Sequence, residues 1–294
     1  MGGTQTLRHD TDISSQVVRY WQQVKDTSVP SFTIYPQEDI GVQQFLNREL
    51  QKDDRLMGQI SAVYVPPAVS ASDRVNIILF LHGDKVRINH SDFTIRQYLG
   101  LKEMPLRQGL NTSGQPFVLI APTLGADADT EFGNLGKNID DYLEHMMTQL
   151  YELGAPEFDV PRPPKVGELI IAGHSGGFGP IRSILSNIRR YKSCIKEVWG
   201  FDIMYGNTAT YLESAKVPVY AYYNDTAGNS RELARKRLPN VFVMVGGEFY
   251  IARGKEQMRM VPHDNLMQKF WLDRCRRMGT NGSHPEDQKL MVYK

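Results

Sequence analysis

Short, nearly uninterrupted apolar runs constrain the fold of this chain more than any other feature. They cover residues 75–83, 117–122, 168–175, 196–206, 217–225 and 241–247, and helical stretches follow them. Such runs are typical of strands that are buried on both faces of a parallel sheet. Alternating strands and helices are joined by right-handed crossovers, so the sequence predicts an α/β fold with a doubly wound, mostly parallel sheet and helices on both faces.

Charge and cysteine content exclude several classes of protein. The 294 residues include 34 Lys and Arg against 33 Asp and Glu, and no long run of like charge occurs, so nucleic acid is not an expected partner. Two cysteines, Cys194 and Cys275, suit a reducing compartment. The first residues lack a secretory signal pattern and no apolar run approaches about 20 residues. We therefore expect a cytoplasmic protein without a membrane span.

One apolar run ends in a motif that predicts chemistry. Residues 173–177 read Gly-His-Ser-Gly-Gly and lie between a predicted buried strand and a predicted amphipathic helix. This is the G-x-S-x-G context in which a nucleophilic serine occupies a sharp strand-to-helix turn between small residues. The N-terminal N–H groups of the following helix would point at the reacting centre. Ser175 is thus a predicted nucleophile, and a glycine-rich turn that cradles phosphate is the alternative.

From this motif, and from the order serine, acid and histidine along the chain, residues 60–276 resemble the α/β-hydrolase family. The resemblance implies a metal-free serine hydrolase that needs no cofactor and cleaves an ester or related acyl bond of a small molecule. It also implies an oxyanion hole formed by the N–H of Gly176 with that of Gly83 or Asp84. The family's H-G-G-G form is absent because Asp84 and Lys85 follow Gly83, which leaves the second donor open.

Among seven histidines, His263 is the predicted general base, because it follows the last strand and precedes a helix, the family's position for this residue. A helix cap is the alternative role. His82 is expected to be structural, and His174 is set aside because neighbours on such a turn point apart. For the acid, Asp202 is favoured, since an isolated carboxylate among apolar residues needs a partner. Asp225, at the position most of the family uses, remains the alternative.

The sequence leaves substrate and oligomeric state open. An amidase or peptidase of the same fold, and a non-catalytic ligand-binding relative, are the competing functions. A metallohydrolase is disfavoured because no ligand cluster of the usual spacing is present. We expect residues 1–59 to form an N-terminal extension packed on the core and residues 60–294 to form the catalytic domain. Within that domain, segments near 84–116 and 247–262 are expected to roof the site.

Overall fold

The computed structural model describes residues 33–36, 60–70, 72–83, 106–122, 133–152, 161–203, 211–212, 215–224, 236, 238–245, 247–252 and 255–279. Among these residues, no helix is long and apolar enough to cross a membrane.

A central sheet of eight strands organises the described part of the chain. Its strands lie in the order β1-β2-β4-β3-β5-β6-β7-β8. β2 pairs antiparallel with both β1 and β4, and β3 to β8 are mutually parallel. The strands are β1 (Thr33–Pro36), β2 (Ile60–Tyr64), β3 (Arg74–Leu81), β4 (Phe117–Pro122), β5 (Lys165–His174), β6 (Ile195–Phe201), β7 (Val219–Tyr223) and β8 (Val241–Val245). The predicted doubly wound, mostly parallel α/β sheet is confirmed.

Helices cover both faces of this sheet, as expected for strands that are apolar on both sides. They are α1 (Leu106–Ser113), α2 (Gly133–Lys137), α3 (Ile139–Glu152), α4 (Phe178–Asn187) and α5 (Leu266–Arg276). The apolar residues of α2, α3 and α4 share one core cluster, and those of α1 and α5 share a second. Strand residues alternate between the two clusters; Ile77 and Leu79 face the first, whereas Ile78 and Phe80 face the second.

The α3 helix illustrates how its sequence pattern produces the fold. Its apolar stripe recurs at helical spacing and is fully buried; the stripe consists of Ile139, Tyr142, Leu143, Met146, Met147 and Leu150. The helix begins directly after Asn138, whose backbone oxygen accepts the N–H of Tyr142 at 2.9 Å. The Tyr142 hydroxyl also lies 2.6 Å from the hydroxyl of Ser61 on β2. This buried contact joins α3 to the antiparallel side of the sheet.

Parts of the expected extension and roof can be placed. From the 1–59 segment, β1 joins the edge of the central sheet. In the first roof segment, α1 packs on α5, where Trp271 Nε1 donates to Leu106 O at 2.9 Å. In the second, β9 (Gly247–Ala252) and β10 (Lys255–Met260) form a separate antiparallel pair. Residues 1–32, 37–59 and 84–105 lie outside the described residues, and the domain boundaries stay predictions.

Candidate active site

Three neighbouring parallel strands bring the candidate residues to one edge of the sheet. His174 at the end of β5 pairs in register with Phe201 at the end of β6, and Phe201 pairs with Tyr222 on β7. Ser175 and Asp202 each come immediately after one of these paired residues. They therefore leave adjacent strands at the same level, at the carboxyl edge where open α/β sheets bind their ligands.

Ser175 occupies a strained turn between β5 and α4. Its φ of 51° lies in the left-handed region, which a residue with a Cβ rarely adopts. A short 3-10 turn over Ser175–Gly177 then leads into α4. A Cβ at Gly177 would lie 2.5 Å from Leu81 O, and one at Gly173 would lie 2.8 Å from the Ile181 side chain. The glycines therefore permit the close packing that a strand-to-helix serine turn requires.

Asp202 and His263 are in direct contact. His263 Nδ1 lies 2.5 Å from Asp202 Oδ2, although the residues are 61 positions apart in the sequence. Asp202 is fully buried, whereas about a quarter of the His263 side chain is exposed. A carboxylate accepts, so Nδ1 carries the proton, and Nε2 of the neutral ring is left as an acceptor. This contact therefore sets the tautomer that a general base needs.

Backbone contacts hold both partners of this pair. Asp202 has a φ of 54°, and its N–H donates to Tyr222 O on β7 at 2.6 Å. On the histidine side, the buried Asn224, directly after β7, donates from Nδ2 to Val261 O at 3.2 Å. That bond ties down the segment that leads to His263. The sequence analysis missed Asn224, whose only signal is its place next to the alternative acid, Asp225.

The end of β3 lies directly against the serine turn. A Cβ at Gly83 would lie 2.6 Å from Ser175 Cβ and 3.2 Å from Ser175 Oγ. The backbone of Gly83 is therefore beside the hydroxyl, where an oxyanion-hole donor would be needed. The buried His82 donates from Nδ1 to Gly83 O at 2.7 Å, because the carbonyl can only accept. His82 thus orients this loop. Asp84 and Asp225 lie outside the described residues.

His174, which the sequence analysis set aside, contacts the candidate base. Its ring centroid is 4.7 Å from that of His263, with the planes tilted by 31°. Its Nε2 lies 3.3 Å from the backbone oxygen of His263. The pKa of His174 is lowered to about 3, first by burial and second by the neighbouring His263. His174 is therefore neutral at neutral pH.

Comparisons with known proteins show likeness in structure only. No family model and no curated protein matches the sequence. One similar solved structure is a thermostable esterase, which is 14% identical, with a TM-score of 0.47 over 74% of this chain and 59% of that one. An S-formylglutathione hydrolase from Agrobacterium tumefaciens is 14% identical, with a TM-score of 0.47 over 85% and 95%. A poly(3-hydroxybutyrate) depolymerase from Bordetella parapertussis is 14% identical, with a TM-score of 0.43 over 88% and 93%.

The topology itself defines the class of fold. A doubly wound sheet carries one antiparallel strand between parallel ones, and a strained serine turn joins its β5 strand to the α4 helix. This is an α/β-hydrolase fold, as the resemblance in sequence implied. A fold of this kind supports many functions, so the function has to be argued from the site.

Proposed function

We propose that this protein is a serine hydrolase that cleaves an ester or related acyl bond of a small molecule through an acyl-enzyme on Ser175. The contact between Asp202 and His263 carries this proposal. A fully buried carboxylate at 2.5 Å from Nδ1 holds the imidazole with Nε2 as an acceptor. That pair lies at the sheet edge that also presents Ser175 on a strained turn.

The proposed chemistry assigns one task to each side chain. His263 Nε2 removes the hydroxyl proton of Ser175 as the oxygen attacks the substrate carbonyl, and it later delivers that proton to the leaving alcohol. Asp202 keeps the imidazole in the required tautomer and stabilises the imidazolium that forms. Water, deprotonated by the same histidine, then hydrolyses the acyl-enzyme and releases the acid.

Backbone N–H groups would hold the negative oxygen of the tetrahedral intermediate. The N–H of Gly176 follows the nucleophile, and the close approach of Gly83 to Ser175 supports a second donor at Gly83 or Asp84. A preorganised donor of this kind contributes roughly 3–4 kcal/mol to transition-state stabilisation in other hydrolases. Neither donor requires a side chain, which is consistent with an oxyanion hole in a chain that lacks the H-G-G-G sequence.

The test combines a covalent probe with a substrate panel. Ser175→Ala should abolish labelling by a fluorophosphonate and hydrolysis of p-nitrophenyl esters, because it removes the attacking oxygen. Ser186→Ala, an exposed serine on the same α4 helix, is the matched control and should retain both. Each assay is run with EDTA present, which should have no effect on a serine mechanism.

The outcomes separate the competing functions. Labelling that survives in Ser175→Ala would refute the assignment of Ser175 as the nucleophile. Loss of activity in EDTA, restored by zinc, would replace the serine mechanism by a metal-dependent one. A wild-type protein that is labelled but cleaves anilides faster than matched esters is an amidase. One that is neither labelled nor active toward any ester or anilide supports a ligand-binding role instead.

A further inference from the structure

His174 is a buried, titratable side chain at the site that takes no part in the mechanism proposed above. His174 ends β5, directly before Ser175, and only 3% of it is exposed. A polar side chain that is withdrawn from water needs hydrogen-bond partners to offset its desolvation. The contacts of this histidine therefore indicate what it does.

The partner of His174 fixes its protonation. Its Nε2 lies 3.3 Å from the backbone oxygen of His263. A carbonyl oxygen only accepts, so Nε2 carries the proton, and in the neutral ring Nδ1 does not. This tautomer is opposite to the one that Asp202 selects in His263. The two rings also pack against each other, with 4.7 Å between their centroids.

We propose that His174 is a positioning residue for the general base. Its Nε2–H holds the backbone of His263, and its ring supports the His263 imidazole from one side, so that Nδ1 remains on Asp202. This inference rests on the proposed hydrolase function, since it gives His263 the role of base. It assigns His174 no contact with substrate.

The electrostatics of the pair fit this role. Among the described residues, the titratable groups that act on His174 are His263, Asp202 and His82. Because burial lowers the pKa of His174 to about 3, the ring stays neutral when His263 becomes charged during catalysis. A second positive charge in contact with the imidazolium would raise its energy, whereas a neutral aromatic ring does not.

Two substitutions distinguish the contribution of the His174 hydrogen bond from that of the contact between the rings. His174→Phe keeps an aromatic ring and removes the donor, and His174→Gln keeps a donor near the place of Nε2 and removes the ring. If the hydrogen bond positions the base, the Phe variant should lose about 10- to 100-fold in kcat with little change in KM, since small displacements of a reacting group cost this much. The kcat of the Gln variant should be at least about tenfold higher than that of the Phe variant.

Nuclear magnetic resonance gives a readout that needs no turnover. Protein labelled with ¹⁵N-histidine has seven labelled side chains. The downfield proton on His263 Nδ1 is assigned by its loss in His263→Ala. In His174→Phe it should broaden or exchange faster, and in His174→Gln it should persist. Long-range ¹H–¹⁵N spectra of the wild type should show His174 neutral and protonated on Nε2.

The results decide the inference without depending on activity. A wild-type His174 that is protonated on Nδ1 would overturn it, even if neither variant folds. So would a folded Phe variant whose His263 proton and kcat both match the wild type. If the wild-type protein hydrolyses nothing, the hydrolase proposal fails, and the resonance of the His263 proton still tests whether His174 positions that ring.

Discussion

Replacing Asp202 by asparagine tests the central contact of the site, because it changes the charge and almost nothing in size. The carboxylate is fully buried and lies 2.5 Å from His263 Nδ1. The amide removes the negative charge that would face the imidazolium. It also brings an NH₂ group that can turn toward Nδ1 and favour the tautomer with the proton on Nε2. That tautomer cannot accept the Ser175 proton.

The size of the effect follows from the geometry. Unit charges about 4 Å apart attract by roughly 4 kcal/mol at the effective dielectric typical of protein sites. At about 1.4 kcal/mol per tenfold in rate, loss of this attraction alone lowers kcat about 10³-fold. The wrong tautomer adds to this, and the corresponding change in a serine protease costs about 10⁴. We therefore expect Asp202→Asn to lower kcat about 10³- to 10⁴-fold.

The stability of Asp202→Asn should not fall along with its kcat. The asparagine removes a desolvated charge, and the partner it leaves, His263, is partly exposed to solvent. The free energy of unfolding in urea should therefore stay within about 1 kcal/mol of the wild type or rise. Ester hydrolysis under single-turnover conditions and urea titration of the same sample measure the two effects.

Asp140→Asn is the matched control. Asp140 accepts backbone N–H groups from Arg189, Arg190 and Tyr191 at 2.8–3.1 Å. Burial would raise the pKa of Asp140, but these donors outweigh it and the pKa is lowered. This substitution should cost about 1 kcal/mol of stability and leave kcat unchanged.

Asp225→Asn completes the set, because the sequence also allows Asp225 as the acid. If Asp202→Asn retains kcat within about tenfold and Asp225→Asn loses 10³-fold or more, the assignment of the acid is wrong. If neither variant loses activity, His263 is not the base of a triad.

Three further changes test other parts of the structure. Gly83→Ala should lower kcat at least about 100-fold while the protein still folds, because the new Cβ would lie 2.6 Å from Ser175 Cβ and would displace the loop that carries the proposed oxyanion donor. Esterase assays measure the activity and circular dichroism measures the folding. Full activity would place the oxyanion donor elsewhere. Glu197→Ala should cost about 3–5 kcal/mol in urea titration, since Glu197 and Arg274 form a buried ion pair at 3.6 Å, and a loss under about 1 kcal/mol would contradict this. Stability should also fall as the pH drops below about 6.5, by up to about 1.4 kcal/mol per pH unit toward pH 3, because unfolded His174 binds a proton in that window and folded His174 does not. That slope should shrink in His174→Gln, and an unchanged slope would show that His174 is not its source.

The sequence predicted the features of this protein that depend on neighbouring residues. Apolar runs marked the central strands, because a strand that is buried on both faces is apolar without interruption. The stripe from Ile139 to Leu150 marked α3, because burial of one helix face repeats apolar residues at helical spacing. The turn around Ser175 was equally local, since its glycines and its strand and helix lie within about twenty residues. The α/β class with a mostly parallel sheet followed from these elements and is confirmed.

The tertiary structure decided which side chains lie in contact when they are far apart in the sequence. The apolar neighbours of Asp202 in the sequence favoured it over Asp225. Only the register of β5, β6 and β7 and the path of the segment before His263, however, bring Asp202 within 2.5 Å of that ring. The contact of His174 with His263 spans 89 positions, and no local pattern signals it. Distances between loops depend on how the strands pair and how the helices pack, which are properties of the whole core rather than of any one segment.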